Sequence, residues 1–176
     1  EAVFSLEKQE EYRGRKVYHL SVTAKTLKEF SKIFSGQLLL DSYVDSRHLY
    51  PLAFRQKLTA SGKEDIDREV TYDQEAGVMS ISTIKRQIPV NTQDPLSAIF
   101  SFRHMDFDKV KEFQMNINTN QKNYTLNGKA VSRDITVSQK TYTIVMAKAD
   151  ISRRDKNPYH KSNITMVLLR EKENIP

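Results

Sequence analysis

Two stretches of the chain carry side chains whose types and spacing could do chemistry. In His104-Met105-Asp106-Phe107-Asp108, an extended backbone would turn His104, Asp106 and Asp108 to one side. That would offer one ring nitrogen and two carboxylates to a transition metal. In Glu64-Asp65-Ile66-Asp67-Arg68-Glu69, the carboxylates of Asp65, Asp67 and Glu69 alternate, with Glu64 beside them. Paired carboxylates perform general acid–base work, such as hydrolysis of a cell-wall polymer, when burial raises the pKa of one of them. Each stretch also has a plainer reading, and the plainer one carries more weight. The first follows a helix, where Asp serves the backbone of a turn. The second lies among Ser61, Gly62, Lys63 and Arg68 and reads as a hairpin loop open to solvent.

Other chemistries lack their raw material. The chain has no cysteine, which removes disulfides, thiolate zinc sites and cysteine nucleophiles together. No G-x-S-x-G elbow, S-x-x-K acylation motif or H-E-x-x-H helix occurs. The five glycines, at 14, 36, 62, 77 and 128, are too dispersed to cradle a phosphate. No catalytic residue, metal ligand or cofactor is therefore expected, and enzymatic function is disfavoured.

The elements that would hold any site follow a period of two. Tyr18, Leu20, Val22 and Ala24 alternate with His19, Ser21 and Thr23, the pattern of a half-buried strand. Leu38, Leu40 and Val44 form the next apolar set, then Leu52, Phe54 and Leu58 against Arg55 and Lys57. Val70 and Tyr72 lead through Asp73-Gln74-Glu75-Ala76-Gly77 into Val78 and Ile81, a hairpin with a glycine in its loop. Phe113, Met115 and Ile117 turn at Thr119–Asn123 into Tyr124 and Leu126; Tyr142, Ile144 and Met146, then Ile164, Met166 and Leu168, mark the last strands. Short turns between eight to ten strands require antiparallel pairing. Asp150 to Lys161 is polar and basic, and reads as an exposed loop.

Two segments break the alternation. Thr26-Leu27-Lys28-Glu29 has the spacing of a capping box, and Gly36 stands where a helix-ending glycine belongs. Asp94-Pro95 opens a second helix, with Asp as N-cap and Pro in the first turn, and Leu96, Ile99, Phe100 and Arg103 on one face. A helix of about ten residues is only about 15 Å long. It cannot cover so many strands, so the sheet must curl on itself. The expected fold is mainly β: a single antiparallel curled sheet or half-open β-barrel with one or two short helices, the Asp94 helix packed on the sheet.

The chain has 176 residues, of which 38% are hydrophobic, which suits one β-rich domain over 1–176. No run approaches the roughly 18 apolar residues of a membrane span. Both ends read as trimmed, since no signal peptide precedes the strand-like Glu1-Ala2-Val3-Phe4 and no closing turn follows Asn174-Ile175-Pro176. The net charge of +6 favours anionic partners. Nucleic acid is not expected, because Tyr18, Phe54, Tyr72 and Phe113 fall on the apolar faces of their strands and not on a basic one.

Tyr12–Leu20, Asp41–Asp45, Tyr50–Phe54, Val70–Gly77 and Thr92–Phe100 with Arg103 stand in an order that resembles a bacterial family, domain of unknown function 3108. Tyr12-Arg13-Gly14-Arg15-Lys16-Val17-Tyr18-His19-Leu20 is similar to its G-x-x-x-Y-x-L strand. Asp41-Ser42-Tyr43-Val44-Asp45 and Tyr50-Pro51-Leu52-Ala53-Phe54 resemble its next two strands, and Val70–Gly77 its hairpin. Thr92-Gln93-Asp94-Pro95-Leu96-Ser97-Ala98-Ile99-Phe100, with Arg103, is similar to its helix. The family's opening strand is unmatched, and beyond about residue 120 the resemblance is weak. The resemblance implies an antiparallel, barrel-like fold and export, placing the chain in the periplasm or at the outer membrane, membrane-peripheral at most. It supplies no activity.

The expected function is non-enzymatic: an envelope protein that binds a lipid or other amphipathic anionic ligand, such as a glycolipid, in a half-barrel. Leu38, Leu40, Leu52 and Phe54 would line it, and Arg55 or Arg103 would meet the headgroup. The alternative is a scaffold or assembly partner of another envelope protein, working through a sheet edge or surface contact.

Overall fold

The structure is a computed structural model and describes residues 2–26, 35–62, 64–154 and 161–170. It is mainly β, with antiparallel sheets that do not close into a barrel and, among the described residues, a single short helix. The alternating segments become β1 (Ala2–Tyr12), β2 (Arg15–Lys25), β3 (Gly36–Asp45), β4 (Pro51–Ala60), β5 (Ile66–Asp73), β6 (Val78–Ile81) and β7 (Ile84–Gln87). These seven form one sheet in chain order. After the helix α1 (Pro95–Arg103) come β8 (Glu112–Thr119), β9 (Lys122–Val137), β10 (Lys140–Arg153) and β11 (Lys161–Arg170), a second sheet ordered β11-β10-β9-β8.

The expected mainly β, antiparallel and open architecture forms, with the strands divided between two sheets instead of held in one curled sheet or half-open barrel. The break falls where Pro89 and the Asp94-Pro95 pair interrupt the chain, and proline cannot donate to a ladder. Among the described residues, one isolated backbone bridge, Gln93 with Ile117, crosses the gap: the Gln93 amide donates to Asn116 at 2.8 Å, and the Asn118 amide to Gln93 at 2.7 Å. Ala2–Tyr12, where the resemblance found no strand, pairs with β2 as β1. The polar stretch from Asp150 is partly strand, since β10 continues to Arg153; residues 155–160 lie outside the described residues. The helix expected after Thr26 also falls outside them, at 27–34, and Gly36 opens β3 instead of ending a helix.

Each sheet buries its own apolar row. In the first, Leu20, Ser42, Phe54 and Val70 stand opposite one another across β2 to β5, and join Val44, Tyr72, Met79 and Ile88. In the second, Phe113, Met115, Leu126, Ala130, Ala147 and Ala149 pack together with Phe107. Helix α1 is the wedge between them: Leu96 and Phe100 belong to the first cluster, Ala98 and Phe102 to the second. This corrects the expected helix face. With two sides of the helix buried, Ile99 and Arg103, one turn apart on the third side, are left exposed.

The start of α1 is fixed by a buried polar cluster. Asp94 accepts the amides of Leu96 at 2.7 Å and Ser97 at 2.9 Å, and Ser97 Oγ accepts the Asp94 amide at 2.9 Å. From β3, the Ser42 hydroxyl donates to Asp94 at 2.5 Å, which ties the helix end to the first sheet. Burial pushes the Asp94 carboxyl up to about 6, against the pull of Ser42 and the two amides.

Candidate functional site

A cleft lies where the covered face of the first sheet meets the β8–β9 turn, and holds about 200 Å³. The β-alternation of three adjacent strands builds its wall: Leu38 and Leu40 from β3, Phe54 and Gln56 from β4, Arg68, Val70 and Tyr72 from β5. Ile81 and Pro95 close one side, and the turn residues Asn118, Thr119, Asn120 and Gln121 supply a polar rim. That turn has Asn120 and Gln121 both in the left-handed region, at φ 49 and 60. A two-residue hairpin of this kind matches the twist of its strands but is favourable mainly for Asn and Gly.

Arg68 is the one cation of the wall. It stands directly opposite Gln56 on the β4–β5 ladder, and its guanidinium donates to the Gln56 side-chain oxygen at 2.9 Å and to that of Asn120 at 2.7 Å. Both partners are neutral, and no carboxylate among the described residues forms an ion pair with it. The nearest acids in sequence face the other way: Asp67 pairs with Lys57 at 3.1 Å, and Glu69 with Arg55 at 2.7 Å. A planar guanidinium with neutral partners at the rim of an apolar cleft suits bidentate recognition of a carboxylate or phosphate. Burial holds the Tyr72 phenol well above its ordinary value, with the Asp94 charge as a second cause, so Tyr72 lines the cleft in its neutral form.

Three of the six residues expected to meet a ligand line this cleft: Leu38, Leu40 and Phe54. Leu52 does not. The β3–β4 register shifts between Tyr43 and Val44, which face Ala53 and Pro51, so Leu52 sits at an irregularity where the alternation breaks. Arg55, next to Phe54 on its strand, points to the opposite face, where it lies over the Tyr43 ring at 5.6 Å and pairs with Glu69. Tyr43 there stacks between Tyr12 and His19, each at 4.6 Å. Arg103 is exposed in the last turn of α1, where a cation suits the helix dipole.

Arg68, which the sequence suggests lies in the hairpin loop beside the alternating carboxylates, stands on β5. Asp67 and Glu69 are in fact on β5, held across the ladder by Lys57 and Arg55. The signal was present: Arg68 is two residues before Val70 and four before Tyr72, and so shares their face. The other candidate cluster serves local structure. His104 Nδ1 lies 2.9 Å from the Phe100 carbonyl, while Asp106 accepts the Asp108 amide at 3.1 Å and pairs with Lys109 at 3.1 Å.

The profile of a family described as protein of unknown function, DUF3108, matches residues 1–176. The chain belongs to DUF3108. The match extends through β8 to β11, well past the motifs recognisable by eye, so both sheets and the cleft between them lie within the DUF3108 domain. No curated protein and no solved structure matches the chain.

Proposed function

We propose that this DUF3108 protein is a non-enzymatic binding protein of the bacterial envelope, and that its cleft takes an amphipathic ligand with an anionic head. The observation that carries this reading is Arg68: a half-buried guanidinium held by two amide oxygens, beside an apolar wall of Leu38, Leu40, Phe54 and Val70. The cleft wall holds two titratable side chains, Arg68 and the neutral Tyr72, and no pair of a nucleophile with a base. Such a lining suits binding over turnover.

The size of the cleft refines the ligand. Ligand sites commonly run from about 300 Å³ upward, and this one is about 200 Å³. Much of the space over the sheet is filled by the chain's own Leu96, Phe100 and Met79. The site therefore suits the carboxylate or phosphate and the first apolar segment of a single-chain amphiphile, with the remainder lying outside.

Native mass spectrometry of the protein purified from its own envelope, followed by organic extraction, tests the reading. A reproducible added mass that extracts as an anionic lipid supports it. A bare mass, together with no binding of added single-chain phosphate or carboxylate amphiphiles, overturns it and directs attention to a protein partner.

A further inference from the structure

We propose that the outward side of β9, β10 and β11 is a docking surface for an anionic lipid bilayer. The inward side of these strands forms the second core, through Leu126, Ala130, Val145, Ala147 and Ala149. The registers of β9 with β10 and of β10 with β11 run without a shift, so alternation assigns the other side without ambiguity. Its rows are Ile135 with Tyr142; Arg133, Ile144 and Leu169, of which Ile144 is buried between its two neighbours at 7% exposure; and Val131, Met146 and Val167. An outward face in a soluble sheet is normally polar. Here Val131, Val167 and Leu169 are 53%, 56% and 50% exposed, and Val137 and Tyr142 extend the same band.

Cations frame the band. Lys140 stands at one end, opposite Val137; Lys148 and Lys129 face each other at the other end; Arg133 lies within. From Lys140 to Lys148 the surface runs about 27 Å along β10. Lys129 is paired with Glu112 at 2.7 Å, and Asp150 lies one row beyond Lys148. Arg133, Lys140 and Lys148 have no ion-pair partner among the described residues. Charge decides the occupant. The cores of protein interfaces are depleted of lysine. Aliphatic side chains that reach the acyl boundary, with Lys and Arg stems snorkelling to anionic headgroups and a tyrosine at the same level, suit a bilayer surface. None of these residues lines the Arg68 cleft, so the inference stands apart from the proposed ligand.

The test is co-sedimentation of the whole chain with phosphatidylcholine vesicles, and with the same vesicles containing phosphatidylglycerol. The expected result is at least tenfold tighter binding to the anionic vesicles, weakening as salt is raised. Arg133→Gln combined with Lys140→Gln and Lys148→Gln should reduce binding to the level of neutral vesicles. Val167→Thr with Leu169→Thr, which keeps residues that favour strands, should lower binding to both kinds by a similar factor. Thermal unfolding of each variant at the wild-type midpoint shows that the fold is intact. Equal binding to neutral and anionic vesicles, no binding, or full binding by the charge variant would overturn the proposal. So would a wild-type dimer that the Val167→Thr, Leu169→Thr variant abolishes, which would make a second copy of the chain the occupant.

Discussion

Arg68 and Gln56 face each other across the β4–β5 ladder, and the guanidinium donates to the amide oxygen at 2.9 Å. Charged partners surround this pair on the other face of the same strands, where Arg55 with Glu69 and Lys57 with Asp67 close ion pairs. Strands β4 and β5 thus pair Arg55 and Lys57 with acids on one face and hold Arg68 within the cleft on the other, with neutral partners.

Replacing that cation should separate binding from stability. Arg68→Gln should weaken a single-chain anionic amphiphile such as dodecyl phosphate by tenfold or more in titration calorimetry, since charge-assisted contacts contribute about 1.5–3 kcal/mol. Stability should change by less than about 1 kcal/mol, because the lost partners are neutral and within reach of water. Arg55→Gln, on the far face, should leave the affinity within about twofold.

Asp94 should make part of the stability depend on pH. Its folded value of about 6 lies above the ordinary 3.8. Its contribution is therefore fully present below about pH 4 and lost as the pH rises through about 6, a span worth about 3 kcal/mol. Asp45 works in the opposite sense. Burial alone would raise it, but the His48 and Arg47 amides and the His48 ring hold its carboxyl below the usual range. Its stabilisation is present above the unfolded pKa and lost as the pH falls through the folded one. Urea titrations of wild type and Asp94→Asn across this range isolate the first effect. Asn keeps an oxygen for the Leu96 and Ser97 amides, and the wild type should lose stability relative to the variant as the pH rises. A constant difference would show that Asp94 does not titrate in this range.

Gly128 admits no side chain. An added Cβ would overlap the Phe113 ring and come within 2.8 Å of the Ala149 Cβ, between two strands that flank β9. Gly128→Ala should destabilise the protein by about 1–3 kcal/mol, as overpacking of a fixed core does. Chemical denaturation would show this as a lower midpoint with an unchanged slope.

The β8–β9 turn should tolerate the reverse change. Gln121 holds φ 60 at the cleft rim, a region costly for a residue with a Cβ. Gln121→Gly should raise stability by about 0.5–1 kcal/mol, read from the same denaturation midpoint. Unaltered stability would mean that the strain is relieved by contacts of the Gln121 side chain.

Much of this architecture was legible because sheet and helix leave local marks. Asp94-Pro95 announced the start of α1, and alternation placed β2 to β6 and β8 to β11. What alternation could not convey was how ladders group. Gln93 and Ile117 are the bridged pair that joins the sheets, and nothing in either residue's type signals it. Burial of α1 on two sides was hidden for the same reason: Phe102 lies off the face of Leu96 and Phe100, and its burial depends on the second sheet opposite it. For the cleft, Leu38, Leu40 and Phe54 followed from pattern alone, whereas Leu52 was lost to a register shift and Arg68 to a loop boundary placed a few residues too late.

Strand order carries a kinetic consequence. Every ladder joins strands that are neighbours in the chain, so both sheets grow by successive hairpin closures of low entropic cost. The nine residues of α1 come between them, and a ribosome releases all of β1 to β7 before the wedge is available. Assembly then ends on the docking of one short helix, with Asp94 and Ser42 closing the joint. Pulse-labelled hydrogen exchange during refolding should find the β2–β5 amides protected before those of α1 and the Gln93–Asn118 bridge. The slow step would be the meeting of two preformed sheets, and its rate would be tuned by a segment that makes up a small part of the chain.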